Sequence, residues 1–171
     1  SILYSLGVGY GNDPMNLDEL KYVYENGQLA LPSMATNFQY HHPLLLKANL
    51  NLIMVVHGEQ KLLVINPIPV SGDFIMNMKV INCFDKGSAK GAVIETETTV
   101  RLKKNNMPIC KLISTTFARG DGGFGGTDSP TTKKVILEGD PDISHEISTK
   151  QDQALIFRLS GDFNPLHSDP S

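Results

Sequence analysis

The sequence lacks the features that mark membrane-spanning and nucleic-acid-binding proteins. Its longest uninterrupted apolar run, residues 52–56, is far too short to span a bilayer, and its first residues lack the basic-then-apolar order of a secretory signal. The 15 Lys and Arg residues are scattered and the formal net charge is −3, so the sequence has no basic stripe that would hold phosphates. We therefore expect no membrane span and no nucleic-acid partner.

Cysteine is also scarce. Cys83 and Cys110 lie in segments that alternate like β-strands, and neither has a second Cys or His nearby at metal-ligand spacing. We expect both to be reduced thiols in the core or on a strand face, which fits a reducing compartment. The chain has 171 residues and 40% apolar content, which is enough for one well-packed core.

The first part of the chain predicts helices and loops. Asn16 can cap a helix that has Glu19 three residues later. That helix would place Leu17, Leu20 and Tyr24 on one face and end at Asn26 and Gly27. From residue 32 to 57 the pattern is mixed, and His42-Pro43 would break any helix there. The pair His41-His42 is expected to be a surface or packing feature.

The middle of the chain predicts a sheet. Strand character is present in four segments: 60–65, 74–84, 91–102 and 108–118. The third alternates apolar or small residues with charged ones, so one face should be exposed to water. Because short turn sequences at 85–88 and 104–106 join the last three segments, we expect an antiparallel meander. A helix before a curled antiparallel sheet is an α+β arrangement.

Between residues 121 and 148 the composition shifts to Gly, Asp, Pro, Ser and Thr, which is typical of a linker. Residues 120–125 satisfy the G-x-G-x-x-G pattern of dinucleotide-binding loops. That site needs a helix directly after the glycines, and Thr127-Asp128-Ser129-Pro130 follows instead. The glycines therefore form either a flexible linker or a backbone surface close to a substrate.

The richest segment chemically is residues 158–170, with the sequence R-L-S-G-D-F-N-P-L-H-S-D-P. A helix is predicted over 149–159, with Thr149 and Asp152 as a capping pair and Gly161 as its end. Pro165 then stops helical structure, so a rigid loop should bring three side chains toward one point: Asp162, Asn164 and His167. A carboxylate, an amide and an imidazole can hold one water and exchange its protons, as the addition of water to a double bond requires.

The residues of this loop also allow a metal site or a purely structural turn. A calcium loop needs further oxygen ligands at alternate positions, where Leu166 has none to offer, and no Cys or second His nearby completes a zinc site. A metal at Asp162, His167 and Asp169 is therefore not expected. A purely structural polar turn stays open.

The loop sequence resembles the signature of the (R)-specific 2-enoyl-CoA hydratases of the MaoC-like hot-dog family. Among the branches of that family, the chain is most similar to the hydratase part of peroxisomal multifunctional enzyme type 2. This resemblance covers nearly the whole chain, with further matching strings at residues 6–9, 18–21, 57–60, 85–88 and 122–126.

The resemblance implies a double hot-dog fold. Residues 1–120 would form an N-terminal hot-dog repeat that binds the acyl chain, 121–148 a linker and 149–171 the start of the catalytic repeat. Because roughly 25 residues fall well below the ~40 needed for independent stability, we expect this second repeat to be truncated. A missing C-terminal part would then supply its sheet and an oxyanion donor.

The resemblance also implies a function. The protein would be a hydro-lyase that adds water to trans-2-enoyl-CoA, giving (3R)-3-hydroxyacyl-CoA in fatty acid β-oxidation. It would need no cofactor and no metal, and would be a peroxisomal homodimer. Asp162 and His167 would hold the water and Asn164 would orient it, while the acyl-CoA would contact His57, Gly58, Lys86, Phe163, Pro165 and Leu166.

Two alternative functions remain open. The first repeat could bind acyl chains without catalysis, or the fold could serve a thioesterase or a dehydratase, since a fold does not fix a function. The spacing of Asp162, Asn164 and His167 favours hydration.

Overall fold

Four antiparallel strands form the sheet of this protein. The structure, a computed structural model, describes residues 1–40, 44–128, 130 and 138–170; the pair His41-His42 lies outside them. The strands pair in the order β1-β4-β3-β2 and are β1 Val55–Val64, β2 Phe74–Asp85, β3 Ala92–Leu102 and β4 Pro108–Ala118. The predicted meander of the last three strands is thus confirmed.

The first strand begins earlier than the sequence predicts. The sequence predicts a first strand over 60–65, but His57 and Gly58 already lie inside β1, where the pairing register shifts between His57 and Glu59. A Cβ on Gly58 would lie 2.5 Å from a ring carbon of Phe117. Glycine therefore permits a bulge in a strand that otherwise continues.

The alternation predicted for β3 is seen as one dry and one wet face. Thr96, Thr98 and Val100 are buried on the inner face. On the outer face, the Glu97 carboxylate lies 3.0 Å from the ammonium groups of both Lys79 and Lys111. Hydrogen bonds from Lys111 and Lys79 lower the pKa of Glu97. This ion cluster joins β2, β3 and β4 across the wet face.

The main core lies between the inner face of the sheet and a 3-10 helix, Pro32–Gln39. Ala35 from this helix is fully buried there, and the Phe38 ring lies 4.8 Å from that of Phe74. Cys110 belongs to this core and burial raises the pKa of its thiol to about 11, whereas Cys83 is exposed. Both cysteines are free, as the sequence predicted.

The helices are short. They are α1 Ile2–Gly7, α2 Leu17–Val23, α3 Leu44–Lys47 and α4 Gln153–Phe157, with further 3-10 turns at Leu52–Met54, Arg158–Ser160 and Pro165–His167. Within the described ranges, none of the helices is long and apolar enough to cross a bilayer.

The prediction for α2 is half right. Asn16 is its cap, accepting a hydrogen bond from the Asp18 N–H and donating one to Glu19. The predicted apolar face is wrong, because Leu17 is 80% exposed and Tyr24 already stands outside the helix.

Candidate active site

Asp162 and His167 line one open cavity of about 340 Å³. The rest of its wall comes from α1 and α4, through Gly7, Gln153, Ala154 and Phe157. Two of the three side chains predicted to act together are therefore brought together, beside an aromatic ring and two small residues.

Local backbone geometry presents Asp162 at this cavity. Helix α4 runs into the 3-10 turn Arg158–Ser160, and Gly161 ends it with a φ of 125°. Such a left-handed conformation favours glycine. Asp162 follows at once and its Oδ1 accepts a hydrogen bond from the Asn164 N–H at 3.3 Å. The end at Gly161 is thus as predicted.

The start of α4 is not as predicted. The helix begins at Gln153 rather than 149, and Asp152 makes no capping hydrogen bond through its side chain. Instead, the N–H of Lys150 donates to Oε1 of Gln153 at 3.1 Å. The hydrogen bond that we expected from the Thr149 and Asp152 capping pair is thus replaced by one to the side chain of Gln153, inside the helix.

Asn164 does not line the cavity shared by Asp162 and His167. Its Oδ1 accepts the Leu166 N–H at 3.1 Å and caps the turn Pro165–His167. The residue borders a second hollow of about 620 Å³ instead, together with Leu52, Ile53, Val55, Pro165, Leu166 and Asp169. The amide therefore shapes the loop in this structure.

Helix α1, which the sequence did not predict, packs against α4 just before the loop that carries Asp162. A Cβ on Gly7 would lie 2.8 Å from the Cα of Phe157, so α1 and α4 touch backbone to backbone at this point. Tyr4 packs its ring 5.8 Å from that of Phe157. Tyr40 also feels the charge of Asp162. The pKa of its hydroxyl is raised, first by burial and second by the charge of the Asp162 carboxylate. In the sequence, this contact is foreshadowed by Gly7, which lies in the matching string at 6–9.

Lys86, expected at a CoA phosphate, lies in the turn after β2. Its Nζ is 3.0 Å from a carboxylate oxygen of Asp128. Of the other predicted contact residues, His57 is exposed on β1, and Phe163 is exposed with the Arg158 guanidinium 5.6 Å from its ring centre. His57 and Phe163 are not among the residues lining the Asp162–His167 cavity.

The glycine-rich segment is docked on the end of β2. The Asp85 carboxylate accepts backbone hydrogen bonds from Gly87, Gly123, Gly125 and Gly126. The bond from Gly123 contributes most to lowering the pKa of Asp85. Gly122 has no room for a side chain, since a Cβ would lie 2.3 Å from the Gly87 carbonyl oxygen. Residues 122–126 are thus fixed to the β2–β3 turn, and no helix begins at residues 127–128.

An apolar cavity of about 360 Å³ lies beside this segment. Its walls come from α3 and the loop after it, from β2 and β3, and from the glycine-rich segment: Leu44, Ala48, Leu50, Val80, Cys83, Ala92, Ile94, Asp121 and Phe124. Met76 on β2 is not among these lining residues and packs against the main core.

Within the described part of the chain, no group of three or more His, Cys, Asp and Glu side chains gathers to hold a metal ion.

Residues 1–120 match the family model described as the MFE-2 hydratase 2 N-terminal domain. The chain is 36% identical to the Mycobacterium tuberculosis protein named enoyl-CoA hydratase ChsH3, over 98% of this chain and 60% of that one. Two solved structures are similar over 99% of the chain. One is a MaoC-like dehydratase from Phytophthora capsici (TM-score 0.79, 31% identity, 60% of its chain). The other is full-length peroxisomal multifunctional enzyme type 2 from Drosophila melanogaster (TM-score 0.72, 33% identity, 29% of its chain).

The chain spans about 60% of the length of the first curated relatives that it matches. These matches confirm the resemblance drawn from residues 158–170 and from the strings before them.

Proposed function

The chain belongs to the family of the MFE-2 hydratase 2 N-terminal domain and has the α+β hot-dog fold of MaoC-like dehydratases, and from this membership we propose that it serves a hydro-lyase. The reaction would add water to trans-2-enoyl-CoA and give (3R)-3-hydroxyacyl-CoA in fatty acid β-oxidation. The observation that carries the proposal is the shared cavity of Asp162 and His167.

The chemistry follows from these two side chains. An ionised carboxylate accepts a proton and an imidazole can accept or donate one, so together they can bind both hydrogens of a water molecule. The water oxygen forms the bond to C3 of the enoyl group while one of its O–H bonds breaks, and that proton passes to one of the two side chains. The π electrons move toward C2 and the thioester carbonyl, and the side chain then delivers the proton to C2. The net change is one water added, with no oxidation or reduction. Because both groups line one cavity, hydroxyl and proton would reach the same face of the double bond.

The division of the chain is part of the proposal. Residues 1–120 would hold the acyl tail, residues 121–148 would link the two repeats, and residues 149–171 would begin the catalytic repeat. A part equivalent to the remaining length of the relatives would complete the site and supply a donor for the thioester oxyanion. By the same analogy we propose a homodimer and peroxisomal localisation.

Substrate contacts can be proposed on the same basis. Lys86 would exchange its ion pair with Asp128 for one with a CoA phosphate. His57 and Gly58 on β1, and Phe163, Pro165 and Leu166 on the loop, would contact the rest of the acyl-CoA. Asn164, in the same loop, would help to orient the water.

One observation favours a second function. The apolar cavity beside the glycine-rich segment has the size of a small-molecule pocket. An acyl-chain-binding module without catalysis would need only this cavity. Loss of enoyl absorbance on adding enoyl-CoA separates the two functions, because binding alone leaves the double bond intact.

The test of the hydro-lyase proposal uses the protein at the full length of its relatives. Asp162→Asn and His167→Ala should each lower kcat by at least ~10²-fold with KM nearly unchanged, the scale of one positioned proton-transfer group. Asp152→Asn and His145→Ala are matched controls, since both side chains are exposed. The 171-residue chain by itself should show no measurable hydration. Near-normal hydration by either site variant would remove that residue from the mechanism.

A further inference from the structure

Gln153 is the third polar side chain on the wall of the Asp162–His167 cavity, and neither the loop motif nor the proposed mechanism uses it. The lining residues are Gly7, Gln153, Ala154, Phe157, Asp162 and His167. Two of the six, Gly7 and Ala154, offer only a bare backbone or a methyl group, and Phe157 offers a ring. Any hydrogen bond to a small ligand that neither Asp162 nor His167 makes must therefore come from Gln153 or from the backbone.

The orientation of the Gln153 amide is fixed by the chain itself. Its Oε1 accepts the Lys150 N–H at 3.1 Å. Because the oxygen of the amide already accepts this hydrogen bond, the NH₂ group is the end that can interact with a ligand. An NH₂ group can only donate hydrogen bonds. Nε2 faces Gly9, where a Cβ would stand 3.8 Å away, and it has no acceptor among the described residues. The residue is half-buried, so the amide is partly withdrawn from bulk water.

A water molecule held for attack has one position for such a donor. Its two hydrogens go to the carboxylate and the imidazole, and one of its two lone pairs must point at the reacting carbon. The second lone pair can accept one hydrogen bond. A donor there fixes the direction of the first lone pair, which is the task that Asn164 was expected to perform. Asn164 is not among the residues that line this cavity and borders the second hollow instead.

We propose that Gln153 is a further water-binding residue of the site, and that its Nε2–H donates to the attacking water while the Lys150 N–H holds its other end. This inference rests on the proposed hydration. It adds a donor from the first turn of α4 to the two groups supplied by the loop.

The experiment compares two substitutions in the protein at the full length of its relatives. Gln153→Glu keeps an oxygen for the Lys150 N–H but removes the donor, whereas Gln153→Met removes both. If Gln153 aims the water, both variants should lower kcat by about 10- to 100-fold with KM within about twofold of the unsubstituted protein. The exposed Gln151 provides the matched control, and Gln151→Met should leave both parameters unchanged.

The outcomes separate a structural role from a chemical one. Unchanged kcat in Gln153→Glu, with loss only in Gln153→Met, would show that the residue merely holds the backbone and would overturn the inference. Raised KM with unchanged kcat would overturn it as well. A full-length protein that fails to hydrate enoyl-CoA before any substitution would reject the proposed function, and the inference with it, so the two failures are distinguishable.

Discussion

Replacing Gly7 by Ala tests whether α1 sets the position of the loop that carries Asp162 and His167. The new Cβ would lie 2.8 Å from the Cα of Phe157, whereas carbon atoms rest at about 3.5–4.0 Å apart. The nearest atom is backbone, so no side-chain rotation relieves the clash, and α1 or α4 must move by roughly 1 Å. Overpacking of this kind costs about 1–3 kcal/mol. The gain from replacing a helical glycine, about 0.5–1 kcal/mol, is smaller, so a net loss remains.

The same displacement should reach the chemistry. Because α4 leads through Arg158–Ser160 into Asp162, a shift of about 1 Å can lower the rate by ~10²-fold. The assay pairs denaturant unfolding with enoyl-CoA hydration. Gly27→Ala is the matched comparison, because a Cβ there meets nothing within 4 Å and its φ of +69° costs only about 1–2 kcal/mol of backbone strain. It should lose stability and keep kcat. A Gly7→Ala protein with unchanged stability and kcat would refute the reasoning.

Two further predictions concern the glycine-rich segment and the apolar cavity. The folded-state pKa of Asp85 is lowered, so its contribution to stability is fully present above the unfolded pKa of about 3.9 and is lost as pH falls through the folded value. Asp85→Asn should therefore melt at a lower temperature than the unsubstituted protein near pH 7, and the difference in melting temperature should narrow as the pH falls below about 3.9. Exposed Asp140→Asn is the control, and a difference that does not depend on pH would contradict this. Ala48→Phe partly fills the apolar cavity and should lower hydration of long-chain enoyl-CoA more than that of a four-carbon substrate. Equal losses on both substrates would mean that the cavity does not hold the tail.

The strands were predictable because alternation and turn chemistry act locally. The short links after Asp85 and Leu102 allow only antiparallel neighbours, so the meander followed from the sequence. The early start of β1 was missed, since His57-Gly58 has the composition of a turn and only the contact with Phe117 shows that the glycine serves a bulge. Helix α1 was missed because it has no capping side chain and no acidic residue in its first turn. Its stability comes from packing on α4.

The sequence identified the residues of the candidate site, but not which cavity each side chain would line. Spacing alone places Asp162, Asn164 and His167 within six residues, but it does not say which side chain the loop uses for its own backbone. The amide of Asn164 satisfies the Leu166 N–H, so it is drawn away from the cavity that the other two share. Gln153 makes the same kind of bond, since its oxygen satisfies the Lys150 N–H, but this residue lines the cavity.

The position of Asp162 depends on packing far back in the chain. The 3-10 helix Pro32–Gln39 buries Ala35 in the main core on one side, and on the other the Nδ2 of Asn37 donates to the carbonyl oxygen of Ser160 at 3.1 Å, across 123 positions of sequence. A short loop cannot hold a reacting group to within a fraction of an ångström unless a rigid element stands beneath it. Here that element is the sheet core, linked to the loop through Asn37 and through the contact of α1 with α4. Residues 1–120 therefore position the end of α4, in addition to the acyl-chain binding that we propose for them.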